Sequence, residues 1–207
     1  SCLPNFSPHL FWELPNGCQT VFPQILKVVL MLKLTPKQRF LFNEICILAW
    51  NASVQRAHLY SADINMEDRR TPEFRASILE FIENELLPQY LNGCDEGTHT
   101  ANIEELVRYG TSTGVKILGP GGYKFGVAQK VLNLLLKYLW CMGHITEPPH
   151  CPVDRIILEK TVLKGKMNWT AMSSTHEYLE AIAAIRAVAS SQGLSIAAWE
   201  LQCYARR

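Results

Sequence analysis

The sequence has little net charge: 20 Lys and Arg residues against 19 Asp and Glu residues give a formal net charge of +1. A protein that binds nucleic acid through much of its surface usually carries a clear excess of basic residues, so this balance gives no general nucleic-acid signature. Aspartate is also scarce, with four residues scattered along the chain: Asp63, Asp68, Asp95 and Asp154. A two-metal nuclease site would therefore depend on folding to bring distant carboxylates together.

Several sequence motifs that carry chemistry are missing. The chain has no His-Glu-x-x-His, no Cys-x-x-Cys and no Gly-x-x-x-x-Gly-Lys-Ser/Thr. It therefore offers no motif of a zinc protease, a thioredoxin-like redox protein or a P-loop nucleotide-binding protein. The 7 cysteines are too few for a dense disulfide framework and odd in number. We expect reduced thiols in a cytoplasmic protein.

Long hydrophobic runs are lacking as well. A membrane-spanning helix needs roughly 20 consecutive apolar residues. The nearest run, residues 21–34, is interrupted by Pro23, Gln24, Lys27 and Lys33. We therefore expect no membrane partner. Residues 1–33 show few periodic signals, and we predict an irregular N-terminal segment there, either a leader or an appended piece, followed by a helical domain over residues 34–207.

Helix signals dominate the remainder of the chain. Hydrophobic residues make up 48% of the sequence, which is enough for a folded core. Thr35-Pro36 and Thr71-Pro72 each place a capping hydroxyl before a proline, and Ser174 begins a capping box with Glu177. Further helices are predicted over residues 102–109, 123–142 and 195–204. The helix after Thr35 is apolar on more than one face and is predicted to be central and buried.

These patterns predict a mostly α fold, a single irregular multi-helix domain with the helix over residues 123–142 as its spine. The connections are too long for a regular up-and-down bundle. Two stretches are compatible with a small β-hairpin or short strands, near residues 111–119 and 153–162. The first combines glycines and a proline with a short apolar run, and the second is ambiguous between strand and helix.

The densest group of reactive side chains lies in residues 141–155, where three prolines stiffen the backbone. His150 and Asp154 are four residues apart, so a helical turn would let Asp154 orient the imidazole while Arg155 holds a phosphate or carboxylate. This spacing indicates candidate catalytic residues His150, Asp154 and Arg155 for a hydrolase or nuclease-like enzyme. The alternative is structural: Asp154 caps a turn and Arg155 pairs with a nearby glutamate.

The same stretch contains the ligand types of a structural zinc site. Cys141, His144, His150 and Cys151 supply two thiolates and two imidazoles, the set that tetrahedral zinc prefers. The adjacent pair His150-Cys151 argues against it, because neighbours in an extended chain point in opposite directions. Zinc is therefore a secondary hypothesis, and no other cofactor is predicted.

Basic residues near the predicted spine form a candidate anion-binding set. Lys130 and Lys137 share one helix face with Asn133, and Lys124 follows a glycine-rich turn at the helix start. Such a face either tracks a polyanion or is solvated, and such a turn either holds an anion or is only a tight turn. We therefore expect a binding or interaction module that uses the 144–155 loop and the Lys130/Lys137 face, with a protein or nucleic-acid partner.

Overall fold

The computed structural model describes residues 34–65 and 68–204. Over these ranges the chain forms seven α-helices and no β-strand. The helices are α1 (Pro36–Val54), α2 (Arg70–Phe81), α3 (Glu96–Thr113), α4 (Phe125–Cys141), α5 (Arg155–Leu158), α6 (Thr175–Ser191) and α7 (Ile196–Cys203). A π-helical turn at Ile82–Leu86 and 3₁₀ turns at Leu87–Tyr90 and Trp169–Ala171 complete the pattern. The mostly α prediction is confirmed, and the predicted segment at residues 1–33 lies outside the described residues.

Helix α4 is the centre of the fold, as its sequence predicts. Its apolar positions are almost completely buried, including Val127, Val131, Leu135 and Leu139 at 1% exposure or less. It packs against α1 and α3 and against the 3₁₀ turn Trp169–Ala171. A helix that is apolar around most of its circumference needs partners on several sides, and this arrangement supplies them.

Local capping chemistry fixes two of the helix starts. Thr35 accepts a hydrogen bond from the Gln38 amide while the Gln38 side chain accepts one from the Thr35 amide. Ser174 and Glu177 form the second capping box, as predicted. Thr71 behaves differently, because it lies inside α2 and its hydroxyl donates to the Asp68 carbonyl. The prediction of a helix after Thr71 is confirmed, but its capping role was wrong.

Helix α1 is not buried all round, which corrects the prediction made from its composition. Its inner face, including Phe42 and Trp50, packs into the core. Its outer face leaves four large apolar side chains between 39% and 63% exposed: Phe40, Leu41, Ile47 and Leu48. Apolar content alone cannot reveal which faces find a partner, because that depends on the neighbouring helices.

The two predicted short-strand regions are not strands. The first three residues of 111–119 are the last turn of α3, and the rest is a turn with one isolated bridge between Tyr60 and Leu118. In 153–162 the Asp154 carboxylate caps the single-turn helix α5. Helix α3 is also longer than predicted. The Asp95 side chain caps its start, so the helix begins at Glu96 rather than at the predicted residue 102, and it ends at Thr113 rather than at residue 109.

Gly126 permits the close approach of α4 to the 3₁₀ turn. A Cβ atom there would lie 1.8 Å from the backbone oxygen of Trp169, and the Gly126 amide donates to the Met172 carbonyl at 3.1 Å. We expect Gly126→Ala to lower the free energy of unfolding by about 3 kcal/mol, because backbone must move to admit the methyl group. The matched control is Gly121→Ala, where an added Cβ meets nothing within 4 Å. Urea denaturation that gives equal midpoints for the two variants would contradict the close-packing argument.

Candidate ligand-binding groove

The polar face of α4 lies inside the protein. Lys130 and Lys137 are each 8% exposed and Asn133 is 0% exposed. The sequence correctly places the three on one helix face, but that face is neither solvated nor open to a polyanion. Because burying a charged amine is unfavourable unless it is paired, each lysine needs an internal partner.

Lys130 pairs with Asp154 across the fold. Its ammonium nitrogen lies 3.4 Å from the Asp154 carboxylate and 4.2 Å from the centroid of the Trp169 ring. Burial lowers the pKa of Lys130, and the neighbouring Asp154 carboxylate opposes that shift. Asp154 also accepts a hydrogen bond from the Ile157 amide at 3.1 Å, so one carboxylate both caps α5 and neutralises the lysine.

Lys137, further along α4, forms a second ion pair of the same kind beside an aromatic ring. Its ammonium nitrogen lies 2.7 Å and 2.9 Å from the two carboxylate oxygens of Glu200 and 4.5 Å from the centroid of the Tyr204 ring. Burial raises the pKa of Glu200, and the Lys137 charge opposes that shift. Glu200 was not predicted as a site residue. The signal that could have found it is that Glu200 is the single charged residue in the mostly apolar helix α7.

An open groove runs along these ion pairs, between α1 and α4. Its larger chamber has a volume of about 590 Å³. This chamber is lined by Leu48, Asn51, Ala52, Gln55, Lys130, Leu134, Tyr138, Pro152, Asp154, Glu200 and Tyr204. An adjoining chamber of about 340 Å³ shares Ala52, Gln55, Lys130, Asp154 and Tyr204. Shared lining residues make the two chambers parts of one elongated groove.

The far end of the groove is cationic. The smaller chamber adds Arg56, Arg155 and the Trp169 ring to the shared wall. A further hollow of about 430 Å³ continues past Arg56 and Arg155 to Lys166. Arg155 itself is exposed and lies 3.6 Å from the Glu159 carboxylate. Of the predicted site residues, Lys130, Asp154 and Arg155 therefore meet in this groove.

His150 does not line this groove. It is 0% exposed, and its Nδ1 lies 2.9 Å from the Tyr178 hydroxyl. Its Nε2 has no hydrogen-bond partner among the residues that the structure describes, and it lies 3.7 Å from the Glu96 carboxylate. Asp154 bonds to Lys130 and the Ile157 amide, so the carboxylate predicted to orient this imidazole is engaged elsewhere.

His150 belongs to a buried polar network centred on Tyr178. The Tyr178 hydroxyl accepts a hydrogen bond from Asn133 Nδ2 at 3.1 Å and lies 3.3 Å from His99 Nε2. His99 Nδ1 lies 2.8 Å from the Tyr90 hydroxyl. Burial lowers the pKa of His99 to about 3, and the nearby His150 adds to that shift. Burial lowers the pKa of His150 to about 4, against the attraction of Glu96. Both imidazoles are therefore neutral near pH 7.

The four predicted zinc ligands are not brought together. Cys141 is exposed at the end of α4, whereas Cys151 is buried and its pKa is raised well above the usual value by burial. His150 turns toward Tyr178. Over the described ranges no cluster of three or more His, Cys, Asp or Glu side chains is arranged to hold a metal ion. The zinc hypothesis therefore has no geometric support.

The glycine-rich turn before α4 is tied to the protein itself. Lys124 donates from its ammonium group to the Ala57 carbonyl at 2.5 Å. The Tyr123 amide donates to the Thr111 hydroxyl and the Gly126 amide to the Met172 carbonyl. These groups are among the donors that an anion would use, and each already binds another part of the protein, which favours the tight-turn alternative.

One further sequence pattern lacks its structural context. Gly110-Thr-Ser-Thr-Gly114 matches Gly-x-Ser-x-Gly, the sequence of the nucleophile elbow in many hydrolases. That elbow requires a sharp turn between a strand and a helix. Here the segment is the last turn and C-cap of α3, and the Ser112 hydroxyl donates to the Tyr109 carbonyl. Ser112 is therefore not held as a nucleophile.

Comparisons with known proteins identify no relative. No protein-family profile matches the sequence, and no curated protein or solved structure gives a significant match. In the part of the chain that the structure describes, no single helix is long and apolar enough to cross a membrane, although α6 and α7 pass that test together as a pair bent by 80°. Any functional conclusion therefore depends on the geometry of the groove.

Proposed function

We propose that the protein is a binding module that takes a small, elongated ligand in the groove between α1 and α4. The observation that carries this proposal is an open groove with a buried, charge-paired lysine in its wall. Lys130 and Asp154 both line the two chambers, and each is less than 10% exposed. Binding sites of a few hundred cubic ångströms with mostly apolar walls and a few fixed polar groups are typical for small ligands.

The energetics of the ion pairs support a binding role. A buried ion pair is often no more stabilising than apolar side chains of similar volume, because both charges lose their hydration. Stability alone therefore gives little reason to place Lys130 and Asp154 in the groove wall. Fixed charges beside an open volume are what orients and selects a ligand.

The same pairs favour a small ligand over a nucleic acid. Lys130 and Lys137 each face an internal carboxylate at 3.4 Å and 2.7 Å, and each lies against an aromatic ring. Lysines engaged in this way are not available for the phosphate contacts that dominate nucleic-acid affinity. A hydrolytic role gains no support from His150, since an imidazole that is 0% exposed has no route to a substrate in this conformation.

Groove occupancy is tested by filling it. Ala52 is an exposed α1 residue that lines both chambers, so Ala52→Trp fills the groove without changing the core. We expect the uncharged fluorescent probe N-phenyl-1-naphthylamine to bind the native protein saturably with one-to-one stoichiometry. Ala52→Trp is expected to weaken that binding by roughly tenfold or more, which corresponds to ~1.4 kcal/mol.

The matched control is Ala76→Trp, which adds the same ring to an exposed position of α2 away from the groove. It should leave the affinity for the probe within a factor of about two. The proposal would be contradicted if both variants lost the same affinity for the probe. It would also be contradicted if neither variant changed the saturable binding of the probe. Thermal unfolding of both variants confirms that they fold.

A further inference from the structure

We infer that the natural ligand of this groove is a soluble amphipathic anion, with its carboxylate or phosphate at Arg56 and Arg155 and its apolar chain toward Leu48 and Leu134. This inference rests on the proposed function and specifies its ligand class. It follows from the way apolar and cationic side chains are separated along the groove.

The α1–α4 end of the groove is suited to an apolar chain. Leu48, Leu134, Tyr138 and Pro152 contribute apolar surface to the larger chamber. Leu41 lies seven residues before Leu48, so the two share a face of α1 that extends the apolar surface beyond the groove. Leu41 is 50% exposed and Leu48 is 39% exposed, which leaves both open to contact with a ligand.

The opposite end has an excess of positive charge. The smaller chamber contains Arg56, Lys130 and Arg155 against the single carboxylate of Asp154. Because Lys130 is paired with Asp154, the two arginines provide the charge that remains. Among the described residues Arg56 has no ion-pair partner, and Arg155 has only a loose, exposed pair with Glu159 at 3.6 Å. The adjoining hollow adds the positive charge of Lys166 and the negative charge of Glu159, so the two arginines still leave this end of the groove positively charged.

The chemistry of these side chains selects an anion over a cation. A guanidinium group presents parallel N–H donors that match a carboxylate or a phosphate. The aromatic rings that could hold an external cation already face internal ones, since Lys130 lies over Trp169 and Lys137 over Tyr204. A cationic ligand would therefore meet two arginines and no free aromatic face among these rings.

The test compares three probes that share one chain: decanoate, decan-1-ol and decyltrimethylammonium. Decanoate and decyltrimethylammonium are added to the full chain below their micelle concentrations and decan-1-ol below its solubility limit, and displacement of N-phenyl-1-naphthylamine gives the affinity of each. We expect decanoate to bind roughly tenfold more tightly than decan-1-ol at low salt, since a charge-assisted contact is about twice as strong as a neutral one. Decyltrimethylammonium should bind most weakly.

The double variant Arg56→Gln, Arg155→Gln should bring decanoate and decan-1-ol to within a factor of about two of each other. Arg108→Gln, at an exposed position of α3, is the matched control and should keep the full preference. Equal affinities for decanoate and decan-1-ol, both abolished by Ala52→Trp, would overturn the inference and leave the proposed function standing. If Ala52→Trp removed no probe binding, both the inference and the proposed function would be overturned. Sedimentation with anionic phospholipid vesicles without binding of decanoate would also overturn it, because it would indicate a membrane surface instead.

Discussion

The free energy of unfolding is expected to fall by about 4 kcal/mol when the pH is lowered from about 7.5 to about 5. The cause is the pair of buried imidazoles beside Tyr178. The pKa of His99 is lowered to about 3 and that of His150 to about 4, chiefly by burial. In the unfolded chain both return to the ordinary histidine value near 6.5.

The direction of the effect follows from proton uptake. Below about pH 6.5 the unfolded chain binds two protons that the folded chain does not, so acid favours unfolding. At about pH 5 each histidine contributes about 2 kcal/mol of this loss, and the figure changes little as long as the folded pKa stays well below 5. The stabilisation is fully present above the unfolded pKa and declines as the pH falls toward the folded values. A loss of this size is a large part of the ~5–15 kcal/mol by which domains are stable.

Urea denaturation at a series of pH values measures the effect. His150→Gln should halve the pH dependence, because one of the two protons is no longer taken up on unfolding. His176→Gln is the control, since His176 is exposed on α6 and should leave the dependence unchanged. A midpoint that stays constant between about pH 7.5 and about pH 5 would show that the imidazoles titrate normally and would contradict the buried network.

Tyr178→Phe is expected to lower the free energy of unfolding by roughly 3–4 kcal/mol, because one hydroxyl serves three buried partners. A single assignment of donors and acceptors satisfies every hydrogen bond in the network around Tyr178. Tyr90 accepts from Asn102 and donates to His99 Nδ1, and His99 Nε2 then donates to the Tyr178 hydroxyl. Tyr178 also accepts from Asn133 and donates to His150 Nδ1.

Removal of this hydroxyl leaves those groups without their partner in a region closed to water. A hydroxyl can donate one hydrogen bond and accept two, so Tyr178 is used to its full capacity. Each buried polar group that loses its partner costs about 1–3 kcal/mol. Asn133 retains one weak contact, to Gln129 Oε1 at 3.4 Å, which limits the loss on that side.

The sequence offers a matched control for this substitution. Tyr123 is also buried, at 1% exposure, but its hydroxyl has no hydrogen-bond partner among the described residues. Tyr123→Phe removes an unsatisfied polar atom and should be neutral or stabilise the fold by about 1 kcal/mol. The same chemical change is thus expected to have opposite consequences at the two positions. Equal urea midpoints for the two variants would contradict the assigned network.

Prediction from sequence succeeded where the determining contacts are local. The capping boxes at Thr35 and Ser174 join residues three apart, and the Asp154 cap does the same for α5. Such contacts are specified by a few neighbouring residues, whatever the remainder of the chain does. The wide arc of apolar residues in α4 likewise predicted a buried central helix. The structure shows that the same reasoning is insufficient for α1, whose outer apolar face has no described partner in the fold.

The candidate site could be predicted only in part, because its contacts join distant positions. The sequence alone brought Lys130 and Lys137 to one face of α4 and Asp154 and Arg155 to the end of a stiff loop. It could not say that Lys137 meets Glu200, which is 63 residues away, or that His99 meets Tyr178, which is 79 residues away. The spacing of lysines in the sequence predicts which helix face they share, but not what packs against that face. The same spacing therefore occurs whether the lysines face water or a carboxylate. Tertiary packing therefore decided which charges are buried in pairs, which imidazoles are sealed from water and where a groove remains open.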